Sequence, residues 1–201
     1  MIIDPQRVPP LASYRLLASA IVPRPIAFVS TVSTDGVYNL APFSFFNAIC
    51  AEPPVVGFCP TFRVPAKDTL TNIRNTKEFV VNVVSEEIAE PMNVCAGEYA
   101  ADVDEFRVSG LTPVPSQVVA PPRVLESRVS MECKLMQIVE VSQRARGGSL
   151  ILGEVLRFHV DDEVMDGPII DPGKLRAVGR MGGNTYVRTR DRFEMVRPVV
   201  A

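Results

Sequence analysis

Lys67, Asp68 and Thr69 open a segment with helical spacing, and Arg63 lies four residues upstream. A helix N-terminus presents N–H groups without intrahelical partners and the positive end of the helix dipole. Two cations and a hydroxyl beside such a terminus could hold a phosphate-like anion. The same residues also fit a capped surface helix with solvated cations, and spacing alone does not choose between these readings. A second group sits earlier, Phe43-Ser44-Phe45-Phe46-Asn47, preceded by Ala41-Pro42. Its rings could line an apolar slot. Pro42 interrupts a strand ladder and leaves nearby backbone groups free to meet the edge of a ligand. Ser44 and Asn47 are polar residues in an otherwise apolar run, and buried side chains of that kind need partners. Those partners could equally be neighbouring backbone, with the Phe residues as plain core.

Other chemistries are poorly supplied. The chain has one histidine, His159, so a His-rich metal site within one chain is excluded and no Cys/His zinc spacing exists. His159 sits in a strand pattern, no G-x-S-x-G occurs, and a Ser-His-Asp triad is not expected. Asp161-Asp162-Glu163 reads as a solvated turn. No Walker A or G-x-G-x-x-G is present. Four cysteines, at 50, 59, 95 and 133, lack a C-x-x-C and read as reduced thiols of a cytoplasmic protein. Cys59 and Cys133 lie in apolar strands and are expected to be buried. No residue declares itself catalytic, and no metal is expected.

With 201 residues, 47% of them hydrophobic, the chain can bury one sizeable core, and one domain over 1–201 is the expectation. The net charge of -2 and the lack of like-charge blocks give no electrostatic case for nucleic acid. Apolar stretches are strand-sized, well short of a membrane span. MIIDPQRVPP at the start lacks the pattern of a signal peptide.

The elements that must position these residues are mostly strands. Eighteen prolines fall mainly between periodic segments. Ile26 to Val32 is a strand, and Thr34-Asp35-Gly36 is a hairpin turn signal. Val37 to Cys50 is the return segment, broken by Glu52-Pro53-Pro54; Val55 to Cys59 and Phe79 to Val84 are further strands. Val129, Met131, Cys133 and Leu135 alternate with Arg128, Ser130, Glu132 and Lys134, which predicts a strand half buried and half wet. After the turn Arg146-Gly147-Gly148, a second long strand places Leu150, Leu152, Leu156, Phe158 and Val160 on one face, opposite Arg157 and His159. Helices are predicted over Asp68–Thr76, started by Asp or Thr, and over Ser85–Cys95, with Ser85 as N-cap. Many antiparallel strands with two small helices predict a closed or partly closed barrel.

The stretches RPIAFVSTVSTDGVYNLAPFSFFNAICAEPPVVGF from Arg24, KDTLTNIRNTKEFVVNVV from Lys67, DEFRVSGLTPVPS from Asp104 and GRMGGNTY from Gly179 occur in a family-like order. Together they span about residues 14–188, and in this order the chain resembles the flavin reductase-like, FMN-binding split-barrel family, to which flavoredoxins are related. The resemblance implies a mainly β fold, an antiparallel split barrel with a few short flanking helices. It also implies FMN as cofactor, NADH or NADPH as co-substrate, and a homodimer with the flavin near the subunit interface. By position, Phe43, Ser44, Phe45, Phe46 and Asn47 would line the ring and ribityl chain. Arg63, Lys67, Asp68 and Thr69 would surround the phosphate, and Ser30 and Thr31 would add hydroxyls. Arg180, Gly182 and Tyr186 would approach flavin or nucleotide from the C-terminal segment. Glu52 stands where the family commonly has Asp, and the length of Thr61–Ala66 bears on where Arg63 falls.

The function expected is an NAD(P)H-dependent flavin reductase-like oxidoreductase, with an oxygenase or redox protein as possible electron acceptor. The alternatives are a flavoredoxin-like FMN electron carrier, a non-catalytic FMN-binding module, and a barrel without flavin. No nucleotide fingerprint separates NADH from NADPH.

Overall fold

The computed structural model describes residues 1–199. Thirteen strands run in chain order: β1 Ala27–Val32, β2 Tyr38–Phe43, β3 Phe46–Ala51, β4 Pro54–Phe58, β5 Glu78–Val83, β6 Pro113–Val114, β7 Arg123–Val124, β8 Val129–Ser142, β9 Gly148–Val160, β10 Met165–Asp166, β11 Ile169–Ile170, β12 Val178–Arg180 and β13 Tyr186–Arg188. Five short helices accompany them: α1 Pro10–Ala20, α2 Asp68–Thr76, α3 Ala89–Val94, α4 Glu105–Ser109 and α5 Pro172–Leu175. Seven strands form one sheet in the order β2-β1-β5-β8-β9-β4-β3, every neighbouring pair antiparallel. Its two edge strands, β2 and β3, are consecutive in the chain and joined only through Ser44 and Phe45. The sheet must therefore curl until its edges meet at that corner, which is the split barrel anticipated from the family resemblance.

Inside the barrel lie Val29, Phe43, Phe58, Phe79, Val81, Cys133 and Ile151, with Leu70 and Ile73 of α2 closing one end. The Phe43 and Phe58 rings lie 5.0 Å apart, and Phe58 meets Phe79 edge-on at 5.5 Å. Gly153 is required here, since a Cβ would come within 2.2 Å of the Phe79 ring. A second apolar layer, including Phe28, Leu40, Ile88, Met92 and Phe106, packs α3 and α4 against the outer face of β1 and β2. Strand β1 is thus covered on both faces, which is why its sequence runs apolar without alternation. The β1–β2 turn takes the expected form, with Gly36 at φ 85° and Ser33 Oγ accepting from the N–H groups of Asp35 and Val37.

Four sequence expectations are corrected. Ser130 and Glu132 do not face water: both are buried, and Glu132 accepts from the N–H groups of Gln117 and Val118 and pairs with His159 Nε2 at 2.6 Å. In β9, register shifts against β8 change the phase, so Ile151, Gly153 and Val155 point inward while Phe158 is 57% exposed. The return segment from Val37 is two strands, not one. The second predicted helix is a 3-10 turn at Glu86–Ile88 followed by α3, and Ser85 makes no cap bond. Ser85 stays extended because it bridges Ala177 in a β-like contact.

Candidate functional site

Lys67 is the N-cap of helix α2, and its side chain makes no cap bond. The first N–H groups of the helix have no intrahelical partner, and its first residues border a small chamber of about 70 Å³. Arg63, Lys67, Asp68, Thr69, Asn39 and Glu105 line it, with the segment Cys95–Tyr99 as the far wall. Asn39 donates one amide hydrogen to Thr31 Oγ1 at 3.1 Å and the other to Thr69 Oγ1 at 2.9 Å. Thr69 accepts that bond, which leaves its own O–H proton to point elsewhere. Burial holds the Lys67 ammonium below the usual lysine range, and the positive charge of Arg63 adds to this. Burial likewise pushes Glu105 above the usual carboxylate range, although it accepts from Leu40 N–H at 3.0 Å. Arg63 faces Glu98 at 3.4 Å and Asp68 at 4.0 Å. Its Nε is buried and bonds to nothing among the described residues. An anion entering this chamber would meet two incompletely compensated cations, a hydroxyl and free backbone N–H groups.

Pro42 and Lys67 also border a second chamber of about 460 Å³, together with Tyr14, Phe43, Ser44, Phe45, Cys59, Thr61, Arg146 and Gly147-Gly148. This is the slot at the barrel corner. Tyr14 of α1 lies 6.3 Å from the Phe45 ring, nearly parallel to it, and the Arg146 guanidinium sits 5.4 Å over Tyr14. Cys59, expected to be buried, is only half-buried because its strand ends at the slot, and what burial it has raises its thiol above the usual range. A third chamber, about 530 Å³, shares Tyr14, Pro42 and Ser44 and adds Ile26, Met92, Asn93, Arg180, Asn184 and Tyr186. Pro42 borders all three, so they form one groove.

The corner itself is held by Arg24. Its guanidinium donates to Ala18 O, to Ile21 O at 2.7 Å and to Met181 O at 3.0 Å, and its Nε to Ser44 Oγ at 3.4 Å. A cation at the C-terminal end of α1 meets unpaired carbonyls there. Arg24 thereby ties α1, the β12–β13 loop and the β2–β3 corner together. Arg180 lies over the Tyr186 ring at 4.4 Å, and the Tyr186 hydroxyl donates to Asn93 Oδ1 at 3.3 Å.

Of the residues singled out in the sequence, the groove gathers Phe43, Ser44, Phe45, Arg63, Lys67, Asp68, Thr69, Arg180 and Tyr186. It does not gather five others. Ser30 is buried and donates to Pro122 O at 2.5 Å. Thr31 is buried behind the anion chamber, where it accepts from Asn39 and Asn72. Phe46 packs on the barrel core. Asn47 is exposed on β3 and bonds the adjacent Ala48 N–H. Gly182 backs onto Ser19 of α1, where a Cβ would come within 3.3 Å of the Ser19 Cβ. Tyr14, Arg24, Asn39, Glu98, Glu105 and Arg146 escaped the sequence reading. A larger cavity of about 660 Å³ lies elsewhere, beside Arg128, His159 and Asp161. Its Arg128 donates to both Asp161 and Glu163 at 2.8 Å and His159 meets the buried Glu132, closer pairings than those of Arg63, so the groove is the better candidate.

An uncharacterized protein of Aquifex aeolicus is 44% identical over 178 residues, covering 87% of this chain and 89% of that protein. Nitrilotriacetate monooxygenase component B from Bacillus cereus superposes with a TM-score of 0.93 at 31% identity, covering 97% of this chain and 98% of that one. The Pseudomonas fluorescens 2-nitrobenzoate 2-nitroreductase NbaA gives 0.90 at 30% identity, with coverage of 100% and 98%. A split-barrel flavin reductase candidate from Shewanella frigidimarina, 24% identical with a TM-score of 0.85 and coverage of 99% and 100%, shares the fold. Residues 19–179 match the model of the flavin reductase like domain, and the chain belongs to that flavin-binding family.

Proposed function

We propose that the chain binds FMN in this groove, one per chain, and acts as a flavin reductase that uses NADH or NADPH. The observation that carries the reading is the convergence of the uncapped α2 terminus, Arg63, Lys67 and Thr69 on one phosphate-sized chamber that opens into an aromatic slot. The unpartnered, buried Nε of Arg63 fits an anion that belongs there. Bound FMN would supply the hydride-accepting chemistry, and the protein would supply placement and exclusion of water.

Lys67, Thr69, Arg63 and the first N–H groups of α2 would hold the phosphate. Phe43, Phe45 and Tyr14 would flank the ring, while Ser44 and the backbone near Pro42 would meet its polar edge. The third chamber, with Arg180, Asn184 and Tyr186, would receive the nicotinamide nucleotide. No general base is required of the chain for this chemistry.

The likeness to a monooxygenase component B at 31% identity supports an oxygenase partner as electron acceptor. A second reading, a flavoredoxin-like carrier, is favoured by Phe45, which is 41% exposed at the slot and would leave the ring accessible to another protein. Exposed apolar side chains on β3 and the far half of β8, namely Ile49, Met136, Val139 and Val141, support a homodimer. Four free cysteines support a reducing, cytoplasmic setting. Among the described residues no helix is long and apolar enough to cross a membrane.

Steady-state oxidation of each nucleotide, with and without added FMN, tests the reaction. Turnover that depends on FMN is expected. Nucleotide oxidation that never rises above the protein-free rate would move the assignment to the carrier.

A further inference from the structure

We infer that Glu98 makes this site selective for a flavin that ends in a phosphate monoester over one that continues into a dinucleotide. The inference rests on the phosphate end proposed above and adds to it the device that limits the ligand's length.

The anion chamber is small. Its volume of about 70 Å³ suits one phosphate-sized group, against the ~300 Å³ at the low end of pockets that enclose a drug-sized ligand. The far wall is the turn Cys95–Tyr99. It is pinned by the bonds Ala96 N–H to Asn93 O and Gly97 N–H to Val94 O, and by the Tyr99 hydroxyl, which donates to Val94 O at 3.0 Å. Glu98 projects from this turn to Arg63 Nη1 at 3.4 Å, while Asp68 faces Nη2 at 4.0 Å. The two outer nitrogens of the guanidinium thus already face carboxylates, and the buried Nε bonds to nothing among the described residues. That Nε–H is a donor free to help hold a terminal phosphate.

A dinucleotide flavin carries a second phosphate, one bridging oxygen farther out. To leave the chamber past Arg63, that phosphate would have to displace the Glu98 carboxylate or lie beside it. Like charges in contact oppose such an arrangement. Glu98 is 80% exposed at its side chain, so replacing it leaves the packed structure alone and changes the charge at the exit.

The experiment compares riboflavin, FMN and FAD binding to flavin-depleted wild type, Glu98→Gln and Glu98→Ala by quenching of flavin fluorescence. Wild type should prefer FMN to FAD by about tenfold or more, and each substitution should narrow that ratio by about two- to fivefold, mainly through tighter FAD. Riboflavin affinity should stay constant across the three proteins, which also reports that the variants are folded. An FMN-to-FAD ratio that is the same in all three proteins, or a wild type that binds FAD as well as FMN, overturns the role of Glu98. A wild type that binds riboflavin as tightly as FMN overturns the phosphate assignment itself, which is a separate and recognisable failure.

Discussion

Replacing Lys67 with Met should weaken FMN binding while leaving the empty protein as stable as before, or more so. The two effects have opposite signs and one cause. In the empty groove Lys67 is partly buried and faces Arg63, and both facts depress its charged form. Methionine keeps much of the apolar stem and removes the ammonium that burial disfavours. With FMN bound, the same ammonium would face a phosphate. The gross attraction between unit charges at 4 Å is ~4 kcal/mol at an effective dielectric of 20. Most of that is offset by desolvation, so the net value of a hydrogen bond to a charged group, about 1.5–3 kcal/mol, is the better guide. That corresponds to about 10- to 150-fold weaker FMN. Titration calorimetry of flavin-depleted protein with FMN and with riboflavin, beside melting curves of both flavin-free proteins, measures each term. FMN affinity within about twofold of wild type, below what one charge-assisted contact is worth, would refute the assignment of Lys67. An equal loss of riboflavin affinity would refute it too, since the change would then be general damage.

Tyr186→Ala should raise the KM for the nucleotide or change turnover more than it changes FMN affinity, because Tyr186 borders the third chamber and not the anion end; steady-state kinetics with a parallel FMN titration separates the two. The bond from Arg190, aided by Arg176 and opposed by desolvation, lowers the Glu86 carboxyl from 4.5 to about 2. A depressed carboxyl stabilises above its ordinary value and loses that contribution as pH falls, so the anchoring of Arg188 and Arg190 to Glu86 should weaken between pH 4.5 and 2. Amide exchange over residues 186–190 should rise in that window, and Glu86→Gln should produce the same rise at neutral pH; unchanged exchange in the variant would contradict the anchor. Light scattering should give twice the monomer mass at micromolar concentration, and a monomer that still holds FMN would contradict the homodimer.

The parts of the fold that could be read from the chain are those set by local chemistry. Helix α2 begins and ends where the spacing of Leu70 and Ile73 places it, and the β1–β2 hairpin follows from Asp35-Gly36. The long β8–β9 hairpin follows from its alternation and its glycine turn. What could not be read depends on distant partners. Ser30 and Glu132 look like ligand-facing or wet polar residues, but each is satisfied in the interior: Ser30 by Pro122 O, Glu132 by Gln117, Val118 and His159. The corner at Ser44–Phe45 ends the alternation of β2, so Phe46 falls into the core and Asn47 outside, although they adjoin residues that face the slot. Helix α1 has no side-chain cap and a weak apolar stripe, with Leu11, Leu16 and Leu17 exposed, so its one local signal is Pro10 at the first helical position. It nevertheless supplies Tyr14 to the groove.

Anaerobic mixing of the FMN-loaded protein with NADH or NADPH, watching the visible absorption band of the oxidised flavin, tests the central claim most directly. The account expects the band to bleach within the turnover time with at least one of the nucleotides. Bound FMN that stays oxidised with both, and bleaches only with dithionite or a reduced protein donor, would contradict it.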